Sequence, residues 1–236
     1  MSKKLLGFII IDTDEVIENQ TNDLMSSFPD VQVKFSKISL ADGIVSPDSF
    51  IKSAANISTA VQFFHTTPHI VGLACTSMSF TLGNKSVDRE LMRDQAITTD
   101  MARGQIAALK ALKVKSVCLL TPYIDSLSLT NSLLIQDAGI EVLRRRTLNI
   151  LTDAETSRIS QKQIMQMVQE IDHKEADAIV VGCSAFQVCE KGFIDILENT
   201  VQKPIITSTQ AFLWIMLRKA GIMGKIPGYG EIFKKH

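Results

Sequence analysis

The chain has 236 residues, 45% of them hydrophobic and 21% charged, with 25 basic and 25 acidic side chains and no formal net charge. That length carries a sizeable core, and the composition is ordinary for a globular protein. The balance gives no global basic field for nucleic acid or an anionic membrane, and no apolar run reaches the ~18–20 residues of a spanning helix.

The opening run from Lys3 to Asp12 has a short apolar part followed at once by acidic residues, so it reads as a buried strand over 5–11 rather than a signal peptide. A helix is predicted over 14–27, then a strand over 31–38. Ser46 with Pro47 behind it is a cap with proline in the first turn, opening a helix over 47–64. A strand over 69–75 follows, then a long helical stretch over 86–112, broken or not. The same alternation continues with strands at 115–121, 140–148, 177–183 and 203–206. Helices are predicted at 124–138, stopping at Gly139, at 160–172, and at 209–220, stopping at Gly221. Most strands lack polar alternation, as expected where both faces of a parallel sheet are covered. The class is α/β, built of right-handed βαβ units with parallel sheets. Neither GxGxxG after the first strand nor GxxxxGK[ST] occurs, so a dinucleotide or P-loop site has no support.

Landmarks repeat along the chain. Cys75 ends the run Ile70-Val71-Gly72-Leu73-Ala74-Cys75, and Cys183 ends Ala178-Ile179-Val180-Val181-Gly182-Cys183, an offset of 183 − 75 = 108. The first strands of the two series are offset by 110 and the second by 109 (Val33 to Val142). This register predicts two pseudo-symmetric halves with the active site in the cleft between them. The first half covers 1–110 and is completed by the C-terminal helix 208–236; the second covers 111–207. Ligands of such sheets bind beyond the carboxyl ends of the strands, where residues 11–14, 75–79, 121–123 and 183–186 fall.

A thiol on each side of a cleft suits removal of a proton from one face of a carbon and its return to the other. It needs a thiolate, and loop N–H groups and a following helix are expected to favour one. One cysteine at a strand end is more often a small buried hydrophobe; two at matching positions, each beside hydroxyl residues, reverse those odds. Thr76, Ser77 and Ser184 follow the thiols, and Tyr123 in Thr121-Pro122-Tyr123 can hold out its phenol to a carboxylate. Cys118 and Cys189 read as inert, and no CxxC pairing occurs, which places the chain in a reducing cytoplasm. His65 and His69 lie at the amino end of a strand and read as surface residues, not a metal site. Arg144-Arg145-Arg146 reads as a solvated strand end.

Ala74-Cys75-Thr76-Ser77, Thr121-Pro122-Tyr123, Gly182-Cys183-Ser184 and the segment from Lys203 to Trp214 occur in the order seen in the aspartate/glutamate racemase superfamily. The chain is most similar to its maleate cis-trans isomerase and arylmalonate decarboxylase branch. The resemblance implies two flavodoxin-like (Rossmann-like) halves, no metal, no organic cofactor, a small carboxylate substrate and a homodimer. It implies Cys75 and Cys183 as the catalytic pair, with Thr76, Ser77, Tyr123, Ser184 and the first-loop residue Asp14 at the substrate. Arylmalonate decarboxylases typically keep only the second cysteine; both are present here, which favours racemase or isomerase chemistry over decarboxylation. Two loops depart from the branch. Asp14 stands where asparagine is expected, and Thr152-Asp153-Ala154-Glu155 replaces a loop that often carries another asparagine. A carboxylate there repels an anionic substrate unless it is protonated or turned away. The rival classes are a carboxylate-binding protein that has lost catalysis and a thiol redox protein.

Overall fold

A computed structural model describes residues 3–236. Its first ten elements run β1 (Lys4–Ile11), α1 (Ile17–Met25), β2 (Val31–Ile38), α2 (Pro47–Ser53), α3 (Ala55–Gln62), β3 (Ile70–Leu73), α4 (Thr76–Leu82), α5 (Asn84–Leu91), β4 (Ile97–Asp100) and α6 (Met101–Ala111), with β5 (Ser116–Thr121) next. The chain goes on through α7 (Asp125–Asp137), β6 (Glu141–Thr147), α8 (Asp153–Ser157), α9 (Gln161–Ile171), β7 (Ala178–Val181), α10 (Phe193–Val201), β8 (Ile205–Thr207), α11 (Ser208–Lys219) and α12 (Gly230–Lys235).

The strands form two four-stranded parallel sheets of the same order, β2-β1-β3-β4 and β6-β5-β7-β8. The α/β class with parallel sheets is as the sequence predicts. The duplication is visible in the register: Ile70 pairs with Leu6 in one sheet, and Ala178, 108 positions on, pairs with Val117 in the other. The central strands carry unbroken apolar runs because helices cover both faces. Leu6, Phe8, Ile9 and Ile10 of β1 and all four residues of β7 are wholly buried. Each such side chain contributes about 1.5–3 kcal/mol of burial.

The long helical stretch expected over 86–112 is interrupted. Ile97–Asp100 is a strand on the edge of the first sheet, pairing with β3, and the helices on either side are separate. Apolar spacing carried across the gap because Val87, Leu91, Met101 and Ala108 all face the core. The break comes from Asp94, which takes a positive φ of 48°, and from Asp100, whose carboxylate accepts from the Arg103 N–H and starts α6. The helix expected over 47–64 likewise divides at Ala54 into α2 and α3. Three short helices, α4, α8 and α12, carry no strong sequence signal of their own, whereas α10 has Phe193, Ile194, Leu197 and Val201 on one buried face and was missed by the sequence reading. Gly139 and Gly221 do end helices in the left-handed region, with φ of 83° and 78°. The three arginines of β6 are engaged in turn by the Asp172 carbonyl, Asp125 and Glu170.

The helix after the second sheet, α11, crosses back and packs on α6 and against β3 and β4. Its Phe212 meets Phe8 edge-on at 5.6 Å between ring centres. The crossing depends on two glycines: a Cβ on Gly104 would lie 2.9 Å from the Phe212 Cα, and one on Gly72 would lie 2.5 Å from the Phe212 ring. The Gly104 contact is backbone and cannot turn aside. Gly104→Ala is therefore expected to destabilise the fold by about 1–3 kcal/mol despite alanine's better helix propensity. Chemical denaturation checks this; an unchanged or raised midpoint would contradict the close approach. No helix among the described residues is long and apolar enough to cross a membrane.

Candidate active site

Both thiols lie two residues beyond the carboxyl ends of central strands. The strands end at Leu73 and Val181, so Cys75 and Cys183 stand in the loops rather than in the strands as predicted. Cys75 is extended (φ −142°, ψ 112°) and occupies the N-cap position of α4. Its carbonyl accepts from the Ser79 N–H at 3.0 Å and the Ser79 hydroxyl at 2.6 Å. The thiol faces the Ser77 hydroxyl at 3.7 Å.

Cys183 is held differently. It takes a φ of 141°, a value that L-residues rarely adopt, and its N–H donates to the Ser208 hydroxyl at 2.9 Å. No helix follows it; residues 184–192 are turns, and α10 begins only at Phe193. Ser208 is a partner that the sequence reading missed. Its signal was present: Thr207 and Gln210 form a capping box that fixes the first turn of α11, and Ser208 sits inside it.

The structure brings Tyr123 and Thr76 beside the two thiols, and Ser184 beside Asp14. Tyr123 is 2% exposed, and its hydroxyl lies beside Thr76, Cys75 and Cys183 without a well-formed hydrogen bond to any of them. Phe80 meets its ring edge-on at 6.1 Å, and its carbonyl is tied to the Asn149 N–H at 3.1 Å and the Thr147 hydroxyl. Thr76 donates to the Met101 sulfur at 3.4 Å, a weak acceptor it can leave. Thr76, Ser77 and Ser184 are all buried.

Asp14 and Asp153 complete the group. Asp14 is 3% exposed, and its Oδ1 accepts from the Val16 and Ile17 N–H groups, each at 3.1 Å. Its Oδ2 has no hydrogen-bond partner. Asp153, the first residue of α8, belongs to the other half, and the Thr13 hydroxyl donates to its Oδ2 at 2.8 Å. Thr13 thus ties the loop that carries Asp14 to the loop that carries Asp153. The sequence reading marked Asp153 as a departure from the branch without placing it at the site.

The electrostatics oppose one expectation. Thiolates were expected to be favoured, yet both thiols are pushed up. Burial raises Cys75 to about 12, and the Asp153 carboxylate adds to it; the Met78 N–H opposes and does not prevail. Burial pushes Cys183 well above the usual thiol range, with Asp153 and Asp14 next. Burial also raises Asp153 from 3.8 to about 6, helped by Asp14. Asp14 is raised by burial against the Ser184 hydroxyl and the N–H groups of Ile17 and Val16. Desolvation is the largest cause at all four groups because each is buried.

Cys75, Cys118, Cys183 and Cys189 are all free and buried. Among the described residues, no three His, Cys, Asp or Glu side chains converge as a metal-ligand set. A separate cavity of about 530 Å³ lies on the other side of α1, between Asn19, Asp23 and Lys191, and includes neither Cys75 nor Cys183.

Two measurements follow from this geometry. Glycine at position 183 relieves the positive φ, so Cys183→Gly is expected to be more stable than Cys183→Ala by about 1 kcal/mol, the reverse of the usual order. Equal or reversed midpoints would mean that the backbone relaxes. A carboxyl whose folded pKa is raised from 3.8 to about 6 favours the folded state fully below the lower value, and that stability is lost as pH rises through the upper one. Unfolding free energy should therefore fall between about pH 4 and pH 7 more steeply in the unaltered protein than in Asp153→Asn, as denaturant titrations at several pH values would read.

The chain is similar to known proteins over nearly all its length. Maleate isomerase of Nocardia farcinica is 21% identical over 245 residues, covering 100% of this chain and 97% of that protein. Arylmalonate decarboxylase of Bordetella bronchiseptica is 25% identical over 216 residues, covering 87% and 88%. Among solved structures, a cysteine-to-serine variant of the Nocardia farcinica maleate cis-trans isomerase, with a covalently bound succinylcysteine intermediate, superposes with a TM-score of 0.88 at 20% identity, covering 100% of each chain. The fold is that of these enzymes. The family model described as arylmalonate decarboxylase matches residues 19–233, and the chain belongs to the arylmalonate decarboxylase family.

Proposed function

We propose that this chain is a cofactor-independent isomerase or racemase that acts at the carbon next to a carboxylate through Cys75 and Cys183. The observation that carries the reading is the placement of two buried thiols at equivalent strand ends of two like sheets, with one tyrosine hydroxyl facing both. Relatives named maleate isomerase, one of them solved with a cysteine adduct, support thiol chemistry in this fold.

The free site holds neutral thiols, so one proton must leave before reaction. As racemase, one thiolate takes the α-proton from one face of the carbon and the opposite thiol gives a proton to the other face. The protonation states of the two cysteines end exchanged. As isomerase, the Cys75 thiolate adds to one carbon of a double bond and the Cys183 thiol protonates the other. Rotation about the resulting single bond and loss of the same proton and thiolate give the geometric isomer. In both versions charge develops on the substrate carboxylate as an enediolate, and this reading assigns its stabilisation to the Tyr123 and Ser77 hydroxyls, which lie beside the thiols.

A decarboxylase is the second reading, favoured by the family to which the chain belongs. There Cys183 alone would return the proton after carbon dioxide leaves, and Cys75 would be dispensable. Single substitutions separate the two readings. In the two-thiol chemistry, Cys75→Ala and Cys183→Ala each lower kcat by about 10³-fold or more, and the double variant is no worse than either single one, because the residues act as a unit. Proton NMR in D2O with the variants reads this. Near-full turnover in Cys75→Ala would select decarboxylation, and full turnover in the double variant would exclude both.

A further inference from the structure

The thiol chemistry leaves two buried carboxylates without a role. Asp14 and Asp153 are the charged groups that act on both cysteines, so a molecule that reaches both thiols also enters their field. Asp14 presents an oxygen with no formed hydrogen bond: Oδ1 is satisfied by two backbone N–H groups, while Oδ2 is buried without a partner in hydrogen-bond geometry, the Ser184 hydroxyl lying beside the carboxylate. Thr13 occupies one oxygen of Asp153, and no hydrogen bond engages the other. A buried carboxylate oxygen left unpaired is costly, and a charged N–H donor is the group that offsets it most.

The sign of the charge points the same way. A substrate with two carboxylates brings two further negative charges to a site that already holds two acids and must produce a thiolate; every one of them raises the thiols further. An ammonium group does the opposite. It neutralises the acids and draws the thiols down, so the substrate itself would supply the charge that the free site lacks.

We propose that the substrate is an amino carboxylate rather than a dicarboxylate, its ammonium group held between Asp14 and Asp153 and its carboxylate turned to the hydroxyls of Tyr123 and Ser77. The inference rests on the thiol chemistry proposed above. It names the end of the molecule that the thiols do not touch.

The test pairs binding with exchange. The probes are free amino acids (alanine, serine, methionine and glutamate, both enantiomers), their 2-hydroxy analogues, and the dicarboxylates maleate, malonate and phenylmalonate. Thermal shift at about pH 7.5 reads binding, because a ligand that binds only the folded state raises its midpoint. Proton NMR in D2O reads exchange of the α-proton. At least one amino acid should raise the midpoint and exchange its α-proton, its hydroxy analogue should bind at least tenfold more weakly, and the dicarboxylates should not bind. In Asp14→Asn/Asp153→Asn, kcat/KM for that amino acid should fall at least 100-fold while a dicarboxylate gains affinity. Asp14→Asn alone, checked by circular dichroism, guards against a folding defect in the double variant. Thiol-dependent turnover of a dicarboxylate by the unaltered protein would overturn the inference and leave the thiol reading standing. Amino-acid exchange that survives in Cys75→Ala/Cys183→Ala would do the reverse. Stabilisation by no amino acid at all, or exchange undiminished in the double aspartate variant, would also overturn it.

Discussion

Two thiols and two carboxylates lie buried beyond the strand ends, and both carboxylates act on both thiols. That coupling governs the site. Burial is the largest cause at each group and the acids add to it, with Asp153 raised to about 6 and Cys75 to about 12. The arrangement holds because the surrounding sheets hold it. β1 and β3 end beneath Asp14 and Cys75, and β5 and β7 end beneath Tyr123 and Cys183. The Thr13 hydroxyl on Asp153 and the backbone bond from Val45 N–H to the Leu151 carbonyl at 2.8 Å join the loops from the two sides. The floor is closed by Asn131 of α7, whose amide donates to Gln105 of α6 at 2.9 Å.

The duplication gives two like sheets but not two like thiols. Cys75 opens a helix, in an extended conformation that any residue adopts. Cys183 opens a turn, at a positive φ, pinned by a hydroxyl from the helix that crosses between the halves. Strain of that kind persists only where surrounding contacts over-determine it. Ser208 is one such contact, and the packing of α11 on α6 is what keeps Ser208 in place. The two cysteines are thus suited to different parts. One is set by local helix geometry, and the other by a tertiary restraint that can be altered without touching the first.

Much of this was legible in the sequence, for identifiable reasons. Strands β1, β3, β5 and β7 announce themselves by apolar runs, and Gly139 and Gly221 mark helix ends because only a residue at ease with positive φ fits there. The 108-residue offset of the cysteines matched the sheet register because both thiols follow the same strand of the same topology. β4 escaped because four residues, Ile97 to Asp100, are too few to show a period against helices whose apolar faces point the same way. α4 and α8 escaped because their positions come from the loops that precede them. What sequence could not give was the sign of the thiol displacement. Backbone N–H groups near Cys75 argue for a thiolate, and the Met78 N–H does lower it, but the outcome is decided by burial and by Asp153 from the other half of the chain. A long-range desolvation has no local signature.

The acidic loops, which read from sequence as a reason to doubt the activity, become the most specific feature of the site once their positions are known. An aspartate in place of asparagine in a solvated loop would add one screened charge and change little. Here the carboxylate is buried, one oxygen is fixed by the turn into α1, and the other is left bare. Backbone amides that satisfy Oδ1 fix the direction of Oδ2, so the orphan oxygen is a consequence of how the chain turns after β1 rather than of side-chain freedom. A buried carboxylate of this kind stays viable only if the oxygen is protonated or meets a cation, and burial raises the proton affinity of both acids. Binding of a cation would offset the charge of the carboxylates and release their hold on the thiols. Recognition and thiol activation would then be a single electrostatic event, which accounts for a free site whose thiols are neutral.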